Sequence, residues 1–267
     1  MDIYISADIE GVCGVCAWAE TEGASEAFAA ARARMTAEVA AACSGALEAG
    51  AARILVKDAH DTGRNIDPAA LPEEAQLNRG WAGDPYCMVS GLERGDWDAC
   101  VFLGYHAAAG TAGSPLAHTM ATKVDYIEVN GQRVSEFTIN AYTAGMLGVP
   151  VAFVSGDASV CEQARRLVPG IAAVPTQKGD GASVTCLQPA LAQRRIREVL
   201  AAQLDSGRYR DCLVALPSKF EIFLRYKEHT DARKASYFPG AELVEDKTVA
   251  FTCTDWMDAL RLFLFTV

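Results

Sequence analysis

The sequence is short of positive charge, and that shortage excludes whole classes of function. Lysine and arginine total 24 against 34 aspartates and glutamates, a formal charge of −10 with a pI near 4.9. Basic residues nowhere form a run. Such a chain repels phosphate backbones and anionic lipid, which argues against nucleic acid and membrane as partners. Long apolar runs are missing as well: no stretch reaches the roughly 18 residues of a membrane span. The most apolar segment, Leu260 to Val267, is too short and carries Arg261. The opening residues, Met1-Asp2-Ile3-Tyr4-Ile5-Ser6, have neither the basic nor the apolar section of a secretory signal. The nine cysteines are odd in number and scattered, unlike a secreted disulfide framework. A cytoplasmic protein is the expectation. Histidine is scarce, with only four, so the position of each one is informative.

What is present is ordinary globular material, 51% hydrophobic and 22% charged. A chain of 267 residues makes one large α/β domain or two smaller ones. It buries roughly 70–75% of its unfolded surface, so it needs no metal merely to fold, and a metal cluster in it reads first as functional. Ile3 to Ala7 reads as a strand, and Ser25 caps a long Ala-rich helix stopped by Gly50. Arg53 to Lys57 and Asp98 to Leu103 read as further strands, separated by a loop-like stretch over 61–97. Strand, helix and strand with nearly continuous apolar runs predict a mostly parallel sheet covered by helices. Asn130-Gly131 inside Val124 to Val134 signals a hairpin. Ser135 opens a helix that ends before Gly148-Val149-Pro150, and Val151 to Val154 is another strand. Ala158 to Val168 reads as helix and Ile171 to Val174 as a short strand. Gln177-Lys178-Gly179-Asp180-Gly181 then reads as a flexible break. Helix Pro189 to Leu204, strands Cys212 to Leu216 and Thr248 to Thr254, and a last helix from Asp255 complete the chain. The expected division is a catalytic α/β domain over 1–176 and a smaller C-terminal α/β domain over 177–267.

Four residues stand where an open parallel sheet binds ligands, outside the carboxyl ends of its strands. Asp8 and Glu10 follow the first strand, and their i, i+2 spacing puts both on one side if the chain stays extended. His60 follows the second strand and His106 the third. Imidazole with carboxylate is a zinc-type ligand set, and crowded carboxylates without a cation would leave one protonated. With no paired cysteine ligands, such a set keeps positions open for water and substrate. On the residues alone, caps and satisfied polar groups at strand ends explain the pattern equally well.

Five segments occur in a telling order: Ser6-x-Asp8-x-Glu10-Gly11, Asp58-x-His60, Gly104-Tyr105-His106, Ala117-His118-Thr119-Met120, and Asn130-Gly131 through Ser135-Glu136 to Asn140-Ala141-Tyr142. In this the chain resembles the DppA-type zinc D-aminopeptidases over its N-terminal two thirds, with a weaker echo at Cys186-Leu187-x-Pro189. The resemblance implies two zinc ions per chain, held by Asp8, Glu10, His60, His106 and Glu136, and a catalytic role for His118. It also implies a doubly wound N-terminal domain, a smaller C-terminal one, a ring-shaped homodecamer and short peptides as substrates. The resemblance alone implies release of an N-terminal D-amino acid; the residues themselves fit an L-aminopeptidase equally well. Two ions about 3.5–4 Å apart would share a hydroxide, with Asp8 bridging and His118 moving protons or stabilising the charged oxygen. Two departures from the family pattern touch the substrate pocket: Cys13 stands in place of a small polar residue, and Ala117 where a Ser commonly precedes the histidine.

Two other readings compete. A two-metal phosphoesterase fits the ligand types, but the basic residues near the motifs are only Lys57, Arg64 and Lys123. A non-enzymatic metal or redox module would rest on Cys13-x-x-Cys16, the one CxxC in the chain. Among single residues, Asp58 either orients an imidazole or serves the strand end. Asn140, one helical turn after Glu136, either binds substrate or a ligand or else packs the helix. His229 reads as a surface or helix-start residue.

Overall fold

The first strand, β1 (Asp2–Ala7), is buried at every position after its first, as expected of a strand covered on both faces. A computed structural model describes residues 1–267. After a 3-10 turn at Trp18–Glu20 the Ser25 hydroxyl accepts from Phe28 N and starts helix α1 (Glu26–Glu48). Then come β2 (Arg53–Asp58), β3 (Ala75–Asn78) and β4 (Ala99–Tyr105). β5 (Val124–Val129) and β6 (Gln132–Arg133) form the hairpin whose turn puts Asn130 and Gly131 at φ +50° and +74°. α2 (Glu136–Met146), capped by Ser135, leads to β7 (Val151–Asp157) and α3 (Ala158–Leu167). β8 (Ala172–Asp180) and β9 (Ser183–Cys186) precede α4 (Pro189–Asp205). The chain ends with β10 (Phe220–Tyr226), α5 (His229–Ala235), β11 (Glu242–Glu245), β12 (Thr248–Cys253) and α6 (Trp256–Thr266).

Two sheets result. The larger runs β3-β2-β1-β4-β7-β8-β9, parallel throughout except for the antiparallel β8–β9 pair. One face packs under α1 and α4, with Met35, Val39, Cys43, Ile196 and Leu200 against Ile5, Val56 and Val101. The other packs under α2 and α3, with Phe137, Ala141, Val160 and Ala164 against Tyr4, Phe102 and Tyr105. The sheet is therefore doubly wound. Its order reverses between β1 and β4, which opens a crevice at their carboxyl ends. The smaller sheet, β11-β12-β10-β5-β6, is antiparallel and closes on α5 and α6 around Phe220, Leu224 and Trp256.

The boundary expected at residue 176 falls inside β8. Gln177 to Asp180 is not a break but the end of that strand, and Gly181 (φ +58°) turns it into β9. This edge hairpin is polar because much of it faces solvent, so it shows no apolar alternation to read. The larger sheet thus keeps the chain to Cys186, while the hairpin 124–133 is given to the smaller one. Cys212 to Leu216 forms no strand, although the Cys212 carbonyl accepts from Val151 N at 3.0 Å. β3, β10, α5 and β11 lie where the sequence reading placed no element.

Candidate metal centre

The crevice is built by backbone contacts between the ends of β1, β2 and β4. Beyond β1 the Asp8 N–H donates to Leu103 O at 2.8 Å and the Gly11 N–H to Gly104 O at 2.8 Å. A Cβ on Gly11 would collide with the Tyr105 carbonyl, and one on Gly104 (φ +66°) with that of Asp8. Two glycines therefore let the two strand exits lie side by side. The chain does not stay extended after Asp8: Val12 N donates to Ile9 O at 3.0 Å, closing a turn. Asp8 and Glu10 converge all the same, because that turn is clamped from β8. The Gln177 amide donates to Glu10 O and Val15 O and accepts from Gly14 N.

His60 rides on a loop closed by Asp58. That carboxylate accepts from the backbone of Asn65 and Ile66 and from the Asn65 amide, which also donates to His60 O. Asp58 thus shapes the loop and does not touch the imidazole, whose Nε2 lies 2.7 Å from Thr21 O. Glu136 opens α2, and its Oε1 accepts from Met120 N at 2.7 Å, tying the helix start to the turn that carries His118. Asn140 faces away into a buried network, donating to Tyr105 Oη at 3.0 Å, which in turn meets Ser6 Oγ at 2.7 Å.

Asp8, Glu10 and His60 form one group of potential ligand atoms, and His106, His118 and Glu136 a second, each within 4.8 Å. His60 Nδ1 lies 3.2 Å from both Asp8 Oδ1 and Glu10 Oε2. His106 Nε2 lies 3.2 Å from Glu136 Oε2 and 3.6 Å from Asp8 Oδ2. Asp8 thus turns one oxygen to each group. His118 Nε2 lies 3.6 Å from Glu136 Oε1, and its ring stacks on His106 with centroids 4.4 Å apart. The sequence set His118 apart as a catalytic residue; the structure places it inside the second group.

Each imidazole is oriented by a backbone carbonyl. His60 donates from Nε2 to Thr21 O, His106 from Nδ1 to Ala107 O at 3.0 Å, and His118 from Nδ1 to Leu116 O at 2.9 Å. In the neutral ring the remaining nitrogen then presents a lone pair to the crevice, the arrangement of a metal-ligating histidine. Glu10 Oε2 and His106 Nε2 are buried without a hydrogen-bond partner. Acceptors facing acceptors require positive charge between them. Burial and the Glu10 charge push the Asp8 carboxyl well above the usual range. Burial opposes charge on His60, yet Glu10 and Asp8 outweigh it and push the imidazole up to about 12. Burial likewise raises Glu136, but His106 and His118 prevail and hold it down to about 2. Protons or a cation can meet this demand, and the donor set fits zinc.

The groups border a cavity of about 760 Å³ that is also lined by Trp18, Trp81, Glu22, Asp61 and Lys227. Lys57, Arg64 and Lys123 are not in its wall. Lys57 is spent on the Asp58 and Gly80 carbonyls. Cys13 and Cys16 are free thiols, and burial, aided by Glu38, pushes Cys13 up to about 12, the reverse of an activated redox cysteine. His229 begins α5 on the surface. Thr21 and Gln177 escaped the sequence reading because a backbone carbonyl carries no residue signature and Gln177 lies in the misread hairpin.

A sequence model of the D-aminopeptidase family (peptidase family M55) matches residues 1–265. A D-aminopeptidase of Bacillus subtilis (strain 168) is 31% identical over 268 residues, covering 99% of this chain and 96% of that one. A solved structure, described as the Zn-dependent D-aminopeptidase DppA from Bacillus subtilis, a self-compartmentalizing protease, superposes with a TM-score of 0.90. It is 29% identical over 99% of this chain and 96% of the other.

Proposed function

Because this chain belongs to the D-aminopeptidase family, which it matches over residues 1–265, we propose that it is a two-zinc aminopeptidase releasing N-terminal D-amino acids from short peptides. The observation that carries this is the placing of Asp8 between two donor groups, one oxygen to each. Asp8, Glu10 and His60 would hold one ion, and Asp8, His106 and Glu136 the other. Zinc in such sets supplies Lewis-acid polarisation of a carbonyl and water of lowered pKa. The chain's own residues do the rest. His118 keeps Nδ1–H on Leu116 O, so its Nε2 faces the cavity ready to take or hold a proton. Trp18 packs edge-on against the His118 ring at 5.3 Å and shields it from bulk water. A cavity of about 760 Å³ has room for a short peptide. The description of the solved relative as self-compartmentalizing supports assembly of this chain into a closed homo-oligomer, a ring of ten by family likeness.

The phosphoesterase reading loses ground here, since acids dominate a wall with one lysine. The test joins metal analysis to hydrolysis of D-Ala and L-Ala dipeptides beside p-nitrophenyl phosphate. We expect about two zinc per chain, release of D-alanine, and loss of both zinc and activity in Asp8→Asn. A zinc-loaded protein that cleaves the phosphate ester and no peptide overturns the reading.

A further inference from the structure

The cavity wall has a charge asymmetry that the donor set does not use. Besides Asp8, Glu10 and Glu136 it contains Glu22 and Asp61, and against these acids a single lysine, Lys227. Lys227 follows β10 and so comes from the smaller sheet. Its backbone is fixed on both sides: its N–H donates to Lys123 O at 2.9 Å, and its carbonyl accepts from Lys247 Nζ. Lys123 and Lys247 thus touch Lys227, the first through its carbonyl and the second through its ammonium, in a protein with a formal charge of −10. None of their ammonium groups lies within 4.0 Å of a carboxylate. The backbone bonds would form equally well with neutral residues at 123 and 227. The other nearby cation, Lys57, sits under the Trp81 ring at 4.4 Å and is committed to two carbonyls.

A short peptide carries opposite charges at its ends. The amine end belongs with the acids and donor groups, which leaves its carboxylate to be met elsewhere in the cavity. We infer that Lys227, the one cation in a wall of acids, binds the C-terminal carboxylate of the substrate, so the enzyme selects short peptides with a free carboxyl end. The inference rests on the aminopeptidase reading and adds a specificity residue to it. Lys227 is exposed at the cavity wall, and an ammonium–carboxylate pair of that kind discriminates against a neutral amide by up to about fivefold. Lys227 is a binding residue here, so its effect falls on KM and leaves kcat to the donor set.

The experiment uses the zinc-loaded full chain with D-Ala-D-Ala and its C-terminal amide as paired substrates. In the wild type, kcat/KM for the free acid should exceed that for the amide about fivefold. In Lys227→Met the ratio should fall to near one through a rise in KM for the acid, and Lys227→Arg should restore most of it. A ratio near one in the wild type, or one that Lys227→Met leaves intact, overturns the assignment while the peptidase stands. A zinc-loaded wild type that cleaves neither substrate overturns the peptidase reading itself.

Discussion

Glu38 shows what one buried charge costs this protein when nothing fully answers it. Its Oε1 accepts from Cys13 N at 3.0 Å, but Oε2 is buried without a partner. Burial pushes the carboxyl up to about 7, against the smaller pull of the Cys13 N–H and Arg34. In the unfolded chain a glutamate titrates near 4.3. The folded state therefore holds the proton more tightly, and the protein loses stability as pH rises from about 4.3 through about 7. Glu38→Gln keeps the acceptor for Cys13 and removes the charge. Its melting temperature should exceed that of the wild type at pH 8, by the equivalent of about 3 kcal/mol, and match it near pH 4. Equal differences at both pH values would refute this account. Asp58 is the contrast: the three hydrogen bonds it accepts leave neither oxygen without a partner as it organises the His60 loop.

At the scale of elements, the clip between β1 and β4 depends on the missing side chain of Gly11. An added Cβ meets the Tyr105 carbonyl, a backbone atom that no rotamer change can move. Gly11→Ala should cost more than about 2 kcal/mol of stability and displace Glu10. A lowered melting temperature with reduced zinc content at matched folding is the expected result, and normal values of both would refute it. What could be read from the sequence follows from the same physics. β1, β2, β4 and β7 are apolar on both faces and announce themselves, as do the Ser25 and Ser135 caps and the Asn130-Gly131 turn. The order of strand ends brought Asp8, Glu10, His60 and His106 to one rim, and Glu136 and His118 entered only through family likeness. The second half of β8 and all of β9 stayed hidden because an edge hairpin such as Gln177-Lys178-Gly179-Asp180 has polar residues on its exposed positions. β10 alternates buried and exposed residues, Phe220-Glu221-Ile222-Phe223-Leu224, but Phe223 on the outer face blurred the pattern.

At the scale of the molecule, large aromatic side chains remain on the outside of α6 and of the turn that follows α5. Phe265 is 71% exposed and stacks on Phe238, and Tyr237 is 72% exposed. Aromatics left in water on a chain of this kind mark a surface for association. If the ring assembly is correct, Phe265→Asp combined with Tyr237→Asp should shift the particle measured by light scattering toward single subunits. Its circular dichroism should stay native. A particle of unchanged mass would remove this surface from the assembly.

All six potential ligands lie between residues 8 and 136, whereas Lys227, the one lysine in the cavity wall, comes from the later part of the chain. The donor groups and the one cationic side chain in the wall beside them thus come from separate stretches of the sequence. A mutation at that single later position can change the charge of the wall while every donor residue stays in place.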